Sequence, residues 1–164
     1  MSDRPRLSWM DAEPRRLVRE REAIPKIAPE LESTESGWAG YAPVWPFERP
    51  KPPQLEAFLA GRRLQLRVEY LQSYPMVPPR FVPIDPEPDL RVRTMHDWHV
   101  NGDGSLCMFQ NSTDWDPQST AADLIPKASG WFLEYLLLTG GLIEQMTVNG
   151  IVSDDVLDHL FVGS

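Results

Sequence analysis

Residues 62 to 71 carry the tightest constraint in the chain: Leu64, Leu66, Val68 and Tyr70 interleave with Arg63, Gln65, Arg67 and Glu69. A period of two sends the apolar set to one face of a strand and the polar set to the other. A one-residue slip would bury Arg67 and Glu69, so the register is fixed and the chain must build a sheet with one dry face. Upstream, Leu55 to Leu59 followed by Ala60-Gly61 is expected to be the hairpin partner, with Gly61 supplying the turn. Trp38, Tyr41, Val44 and Trp45 suggest an earlier strand, and Phe81-Val82 a short final one. Between them, Tyr74-Pro75-Met76-Val77-Pro78-Pro79 cannot be a central strand, because proline lacks the ladder donor. The sum is a four-stranded antiparallel meander, followed by a long loop over 83–97.

Helices flank this sheet. Residues 12–24 read as a first helix, with Pro14 in its first turn, Leu17, Val18 and Ile24 on one face, and Pro25 as its stop. Past Pro117, Thr120 and Asp123 have the spacing of a capping box. The apolar residues from Leu124 to Leu138 then form a core helix that Pro126 and Gly130 should bend. Asp154 to Phe161 suggests a short terminal helix. The order of helix, antiparallel sheet, irregular loop and helices on one side is an α+β plan. At 164 residues the chain is expected to be one domain, with a core over about 12–138.

The net charge of -8 offers no basic stripe for nucleic acid or an anionic membrane. Arginines cluster at Arg15, Arg16, Arg19 and Arg21, and again from Arg49 to Arg67; the simplest reading of both is a solvated face. A single cysteine forms no internal disulfide, the first residues are polar, and no stretch reaches the roughly 20 apolar residues of a membrane span. A cytoplasmic protein with protein partners is the expectation. Three histidines and one cysteine show no metal-ligand spacing, and no cofactor motif is present.

The chemistry is expected in His99-Val-Asn-Gly-Asp-Gly-Ser-Leu-Cys107, which leads through a polar loop to Trp115-Asp-Pro117. A histidine, a turn and then a thiol is an arrangement able to hold a nucleophile beside a hydrogen-bonding side chain. The ordered set Tyr74-Pro75-x-x-Pro78-Pro79, Gly104-Ser105-Leu106-Cys107, and Trp115-x-Pro117 with Thr120 opening a helix resembles the ubiquitin-conjugating enzyme family. Cys107, Trp115 and Pro117 keep that family's intervals, and the resemblance covers residues 12–138. It implies that Cys107 accepts the C-terminal carbonyl of a ubiquitin-like protein as a thioester and passes it to an amine. Trp115 would pin the active loop and Tyr74 would pack the proline knuckle.

Two departures narrow the resemblance. The family's His-Pro-Asn positions hold Asp97, Trp98 and His99, so a histidine stands where the supporting asparagine would be, and His96 falls outside the aligned position. This is similar to divergent bacterial relatives found in operons with ubiquitin-like modifiers or with cGAS-like nucleotide cyclases of CBASS antiviral defence. The cargo would then be a ubiquitin-like protein or the cyclase C-terminus, activated by a separate protein. The second departure follows Thr139, where the family continues through two more helices. No acidic gate residue has a clear counterpart there, and Asp114 and Asp116, flanking Trp115, are the candidates for an acidic environment around an incoming lysine. Two other classes stay open: a non-catalytic binding module on the same fold, and a cysteine hydrolase drawing on His99 with Asp97 or Asp103.

Overall fold

A computed structural model describes residues 7–90, 92–94, 98–109, 114–148 and 150–163. The chain is α+β, with a four-stranded antiparallel meander whose strands lie in sequence order: β1 (Leu31–Ser33), β2 (Gly37–Tyr41), β3 (Gln65–Glu69) and β4 (Arg80–Asp85). The alternation around β3 does what its period requires. Leu64, Leu66, Val68 and Tyr70 are all buried, Trp38 pairs with Val68, and Phe81 closes the same register from β4. Gly40 faces Leu31 with φ +147°, and a Cβ there would lie 2.2 Å from the Glu30 carbonyl oxygen, so only glycine lets β1 approach β2 this closely.

Several boundaries differ from the expectation. Leu55–Leu59 is not a strand but a helix, labelled α3 below because α1 (Ser8–Ala12) and α2 (Pro14–Ile27) precede it. Leu55 and Leu59 are buried and Glu56 is exposed, an i,i+4 pattern that puts one helical face inward. The strand beside β2 is instead Leu31–Ser33, and Val44 and Trp45 lie beyond β2. Pro25 does not stop α2. It sits in the last turns of a helix that runs to Ile27, where it removes a single ladder bond. The 83–97 loop begins later than expected, because β4 holds residues as far as Asp85. Of the C-terminal helix only a 3-10 turn, Asp158–Leu160, forms.

The solvated-face reading of the first arginine cluster is corrected at Arg16. Arg16 and Glu20 lie one turn apart on α2 and both are buried, while Val18 is 54% exposed. Glu20 accepts hydrogen bonds from the Tyr70 hydroxyl at 2.7 Å, the Tyr74 hydroxyl and the Ala121 amide at 3.1 Å. Arg16 donates to the Ser119 carbonyl at 2.8 Å and to the Pro117 carbonyl. Burial and then the Glu20 charge push both tyrosine hydroxyls far above their ordinary range, so they remain donors. This polar hub ties α2 to the proline knuckle and to the segment after Trp115.

That segment enters a 3-10 turn, Ala121–Leu124, whose Asp123 carboxylate accepts from the Thr120 amide at 2.9 Å, one half of the expected capping box. The core helix α4 (Ile125–Thr139) follows without a break. Pro126 falls in its first turn, where no amide is needed. Gly130 lets the helix pass close to Phe47, Ile151 and Val152, and a Cβ there would meet them at 3.5–3.8 Å, ordinary contact distances. Gly130→Ala is therefore expected to stabilise the fold by about 0.5–1 kcal/mol through helix propensity, measurable by chemical denaturation. A loss of stability would mean that the backbone at this point needs glycine. No helix among the described residues is long and apolar enough to cross a membrane.

Candidate active site

The thiol is held by a short irregular ribbon beside β4. Leu106 donates its amide to the Phe81 carbonyl at 2.8 Å and bridges Val100, and Cys107 donates its amide to the His99 carbonyl at 2.8 Å. The turn between is closed by Asn101 N–H to the Ser105 carbonyl at 2.8 Å and by Gly104 N–H to the Asn101 carbonyl at 2.9 Å. Gly104 has φ +89°, a left-handed backbone angle that calls for glycine.

Asp103 accepts from the Ser105 amide at 2.9 Å and hydroxyl at 2.6 Å and pairs with Arg80 at 3.2 Å. The Ser105 hydrogen bonds and then Arg80 hold its carboxyl below the usual range. Asp103 is thus part of the turn that ties the ribbon to β4. It is engaged as a structural acceptor rather than as the orienting acid of a hydrolase.

Cys107 itself is exposed, and its Sγ lies 3.3 Å from the Phe109 carbonyl. It opens onto a cleft of about 460 Å³ shared with His99, Asp114, Lys127, Glu134 and Thr147. The cleft runs between the thiol ribbon, α4 and residues 147–148 and 150–153 of the C-terminal segment. His99 has φ +52°, a left-handed conformation that histidine tolerates better than most residues, and its Nε2 lies 3.2 Å from the Thr147 carbonyl oxygen. Lys127, in the first turn of α4, donates to the Met108 carbonyl at 3.1 Å and sits 4.2 Å from the centre of the Phe109 ring. Partial desolvation lowers its ammonium, opposed by Asp114.

Of the two flanking aspartates, only Asp114 lines the cleft. Asp116 is exposed and accepts from the Gln118 amide at 2.9 Å, forming a turn. Trp115 between them is buried, donates from Nε1 to the Pro75 carbonyl at 2.8 Å, and packs against Tyr74 and Phe109. It ties the loop after the thiol to the knuckle. His96 and Asp97, and residues 110–113, lie outside the described residues.

Sequence reasoning missed Glu134, which is 2% exposed in the middle of α4. One of its oxygens accepts both the Thr147 amide at 2.9 Å and the Thr147 hydroxyl at 2.6 Å. Burial raises its carboxyl above the usual range, while the Thr147 hydrogen bonds and then the His99 charge oppose that rise. The signal was in the sequence: Glu134 is the one charged residue in the apolar run from Trp131 to Leu138. A carboxyl whose pKa is raised by folding contributes stability below its unfolded pKa and loses it as pH climbs through the folded one. Glu134→Gln keeps an acceptor oxygen without the charge. Its stability relative to wild type should therefore rise as pH climbs above the ordinary carboxyl range and level off once pH has passed the raised folded value. Parallel denaturant titrations check this, and a pH-independent difference would contradict it.

Among the described residues, no group of three or more His, Cys, Asp or Glu side chains is placed to hold a metal ion. Compared with known proteins, the chain matches no protein-family model, no curated protein and no solved structure.

Proposed function

We propose that the chain is an acyl transferase with the ubiquitin-conjugating fold, carrying its cargo as a thioester on Cys107. The cargo in this reading is the C-terminus of a ubiquitin-like protein or of a cGAS-like nucleotide cyclase, within a bacterial conjugation or CBASS antiviral pathway in the cytoplasm. The observation that carries the reading is the exposure of Cys107 on a cleft that it shares with His99, whereas a cysteine kept only for packing would be buried. Further support comes from the order of meander sheet, thiol ribbon and helix, and from the Trp115 hydrogen bond to Pro75 that joins two of the motifs behind the resemblance.

The chemistry divides into two displacements. The Cys107 thiolate attacks a carbonyl activated on a separate protein, and the activating group leaves. An amine then attacks the thioester carbon, the C–S bond breaks, and Cys107 departs as thiolate while the amine loses its proton. In this reading His99, which lines the cleft with the thiol, takes the proton, and Asp114 offers a negative charge to an approaching ammonium.

Co-expression with the proteins encoded beside it, followed by a non-reducing gel and intact mass, tests the reading. A reductant-labile adduct on Cys107 is expected, and its mass identifies the cargo. A folded protein that binds its neighbours without forming an adduct would overturn the transferase reading in favour of a binding module.

A further inference from the structure

We infer that Glu134 is a positioning residue which, acting through Thr147, fixes the proton of His99 on Nε2 and leaves Nδ1 as the basic nitrogen. Hydrogen bonding at the His99 ring is asymmetric. A peptide carbonyl only accepts, so the ring nitrogen 3.2 Å from the Thr147 oxygen must carry a hydrogen whether the imidazole is neutral or charged. In the neutral ring the lone pair then resides on Nδ1, the nitrogen that gains and loses a proton.

The carbonyl holds this role only if it stays in place, and Thr147 belongs to a stretch between α4 and the terminal turn whose described residues form no helix or strand. Two hydrogen bonds from Thr147 to one buried oxygen of Glu134 pin the residue to α4 by its amide and its hydroxyl. Met146 and Ile151, both buried, hold the segment on either side. The chain of contacts therefore runs from the rigid helix through Glu134 and Thr147 to the ring of His99. The neighbouring ionisable groups on the cleft are Cys107 on the ribbon, Asp114 beyond it and Lys127 on α4.

Applied to thioester transfer, and resting on that reading, the inference assigns the proton path. The amine nitrogen bonds to the carbonyl carbon, its proton passes to His99 Nδ1, and the C–S bond breaks to release the Cys107 thiolate. Glu134 touches none of the reacting atoms.

The test uses the full chain labelled with ¹⁵N-histidine. Long-range ¹H–¹⁵N spectra distinguish the two neutral tautomers, and His96→Asn and His159→Asn assign the signals. The Nε2–H form of His99 is expected to dominate in wild type and in Glu134→Gln, which keeps the acceptor oxygen. In Glu134→Ala a mixed tautomer signal is expected, together with a roughly tenfold slower discharge of the Cys107 adduct to a small amine. A dominant Nδ1–H form in wild type overturns the inference, as does an unchanged tautomer in Glu134→Ala. If Glu134→Ala fails to fold, the wild-type and Glu134→Gln spectra still decide, a mixed tautomer in either overturning it. Because the spectra are recorded on free protein, absence of any adduct would sink the transferase reading while leaving the tautomer result to stand or fall separately.

Discussion

Cys107→Ala is expected to abolish the adduct entirely, and Cys107→Ser to replace a reductant-labile adduct by a slowly formed, reductant-resistant one. Alanine has no nucleophile. Serine can form only an oxygen ester, which thiols do not cleave readily, and its hydroxyl is a much weaker nucleophile at neutral pH than a thiolate. Because Cys107 is exposed and its thiol donates only a weak hydrogen bond to the Phe109 carbonyl among the described residues, either change should alter stability by no more than about 0.5 kcal/mol. The gel result can therefore be read as chemistry rather than misfolding. Undiminished adduct in Cys107→Ala would place the acyl group elsewhere and remove the basis of the proposed function.

The largest expected stability effect lies in the polar hub around Glu20. Glu20→Leu should lower the free energy of unfolding by about 3–5 kcal/mol, because it leaves two buried tyrosine hydroxyls and the Ala121 amide without their acceptor. Glu20→Gln keeps one acceptor oxygen and should lose about 1–2 kcal/mol. Urea unfolding followed by tryptophan fluorescence measures both. A Leu variant as stable as wild type would show that the polar hub can be replaced by packing, as some buried ionic clusters can. The effect should also reach the site, since Arg16 and Glu20 hold residues 117–121, directly after the Trp115 anchor.

How much of this was legible in the sequence depended on how each signal is generated. The alternation from Leu64 to Tyr70 was legible because register is set by one buried face, and the Thr120–Asp123 spacing because caps are local. Leu55 to Leu59 was misread because a five-residue apolar run fits a strand and a short helix equally, and only the buried pair Leu55 and Leu59 decides. Leu31–Ser33 had no pattern to read: it buries Leu31 alone and forms a strand because β2 offers it a partner edge. At the site, the resemblance pointed to Cys107, His99 and Asp114, and the fold brings these three onto one cleft. Asp116 was not separable from Asp114 by sequence, because only the fold turns one toward the cleft. Arg16 and Glu20 were hidden for the opposite reason. Composition treats charge as a surface property, whereas each is buried with partners far away in the chain.

The hub that joins α2 to the end of the thiol loop also sets an order of events during synthesis. Glu20 reaches Ala121 across 101 positions, and Arg16 reaches Ser119 across 103. When the ribosome has made α2 and the whole sheet, the carboxylate has its tyrosine donors but not the Ala121 amide, and the guanidinium lacks its carbonyls. Helix α2 is secured only after the thiol loop has been translated, so the emerging chain carries an unfinished seam until residues 117–121 arrive.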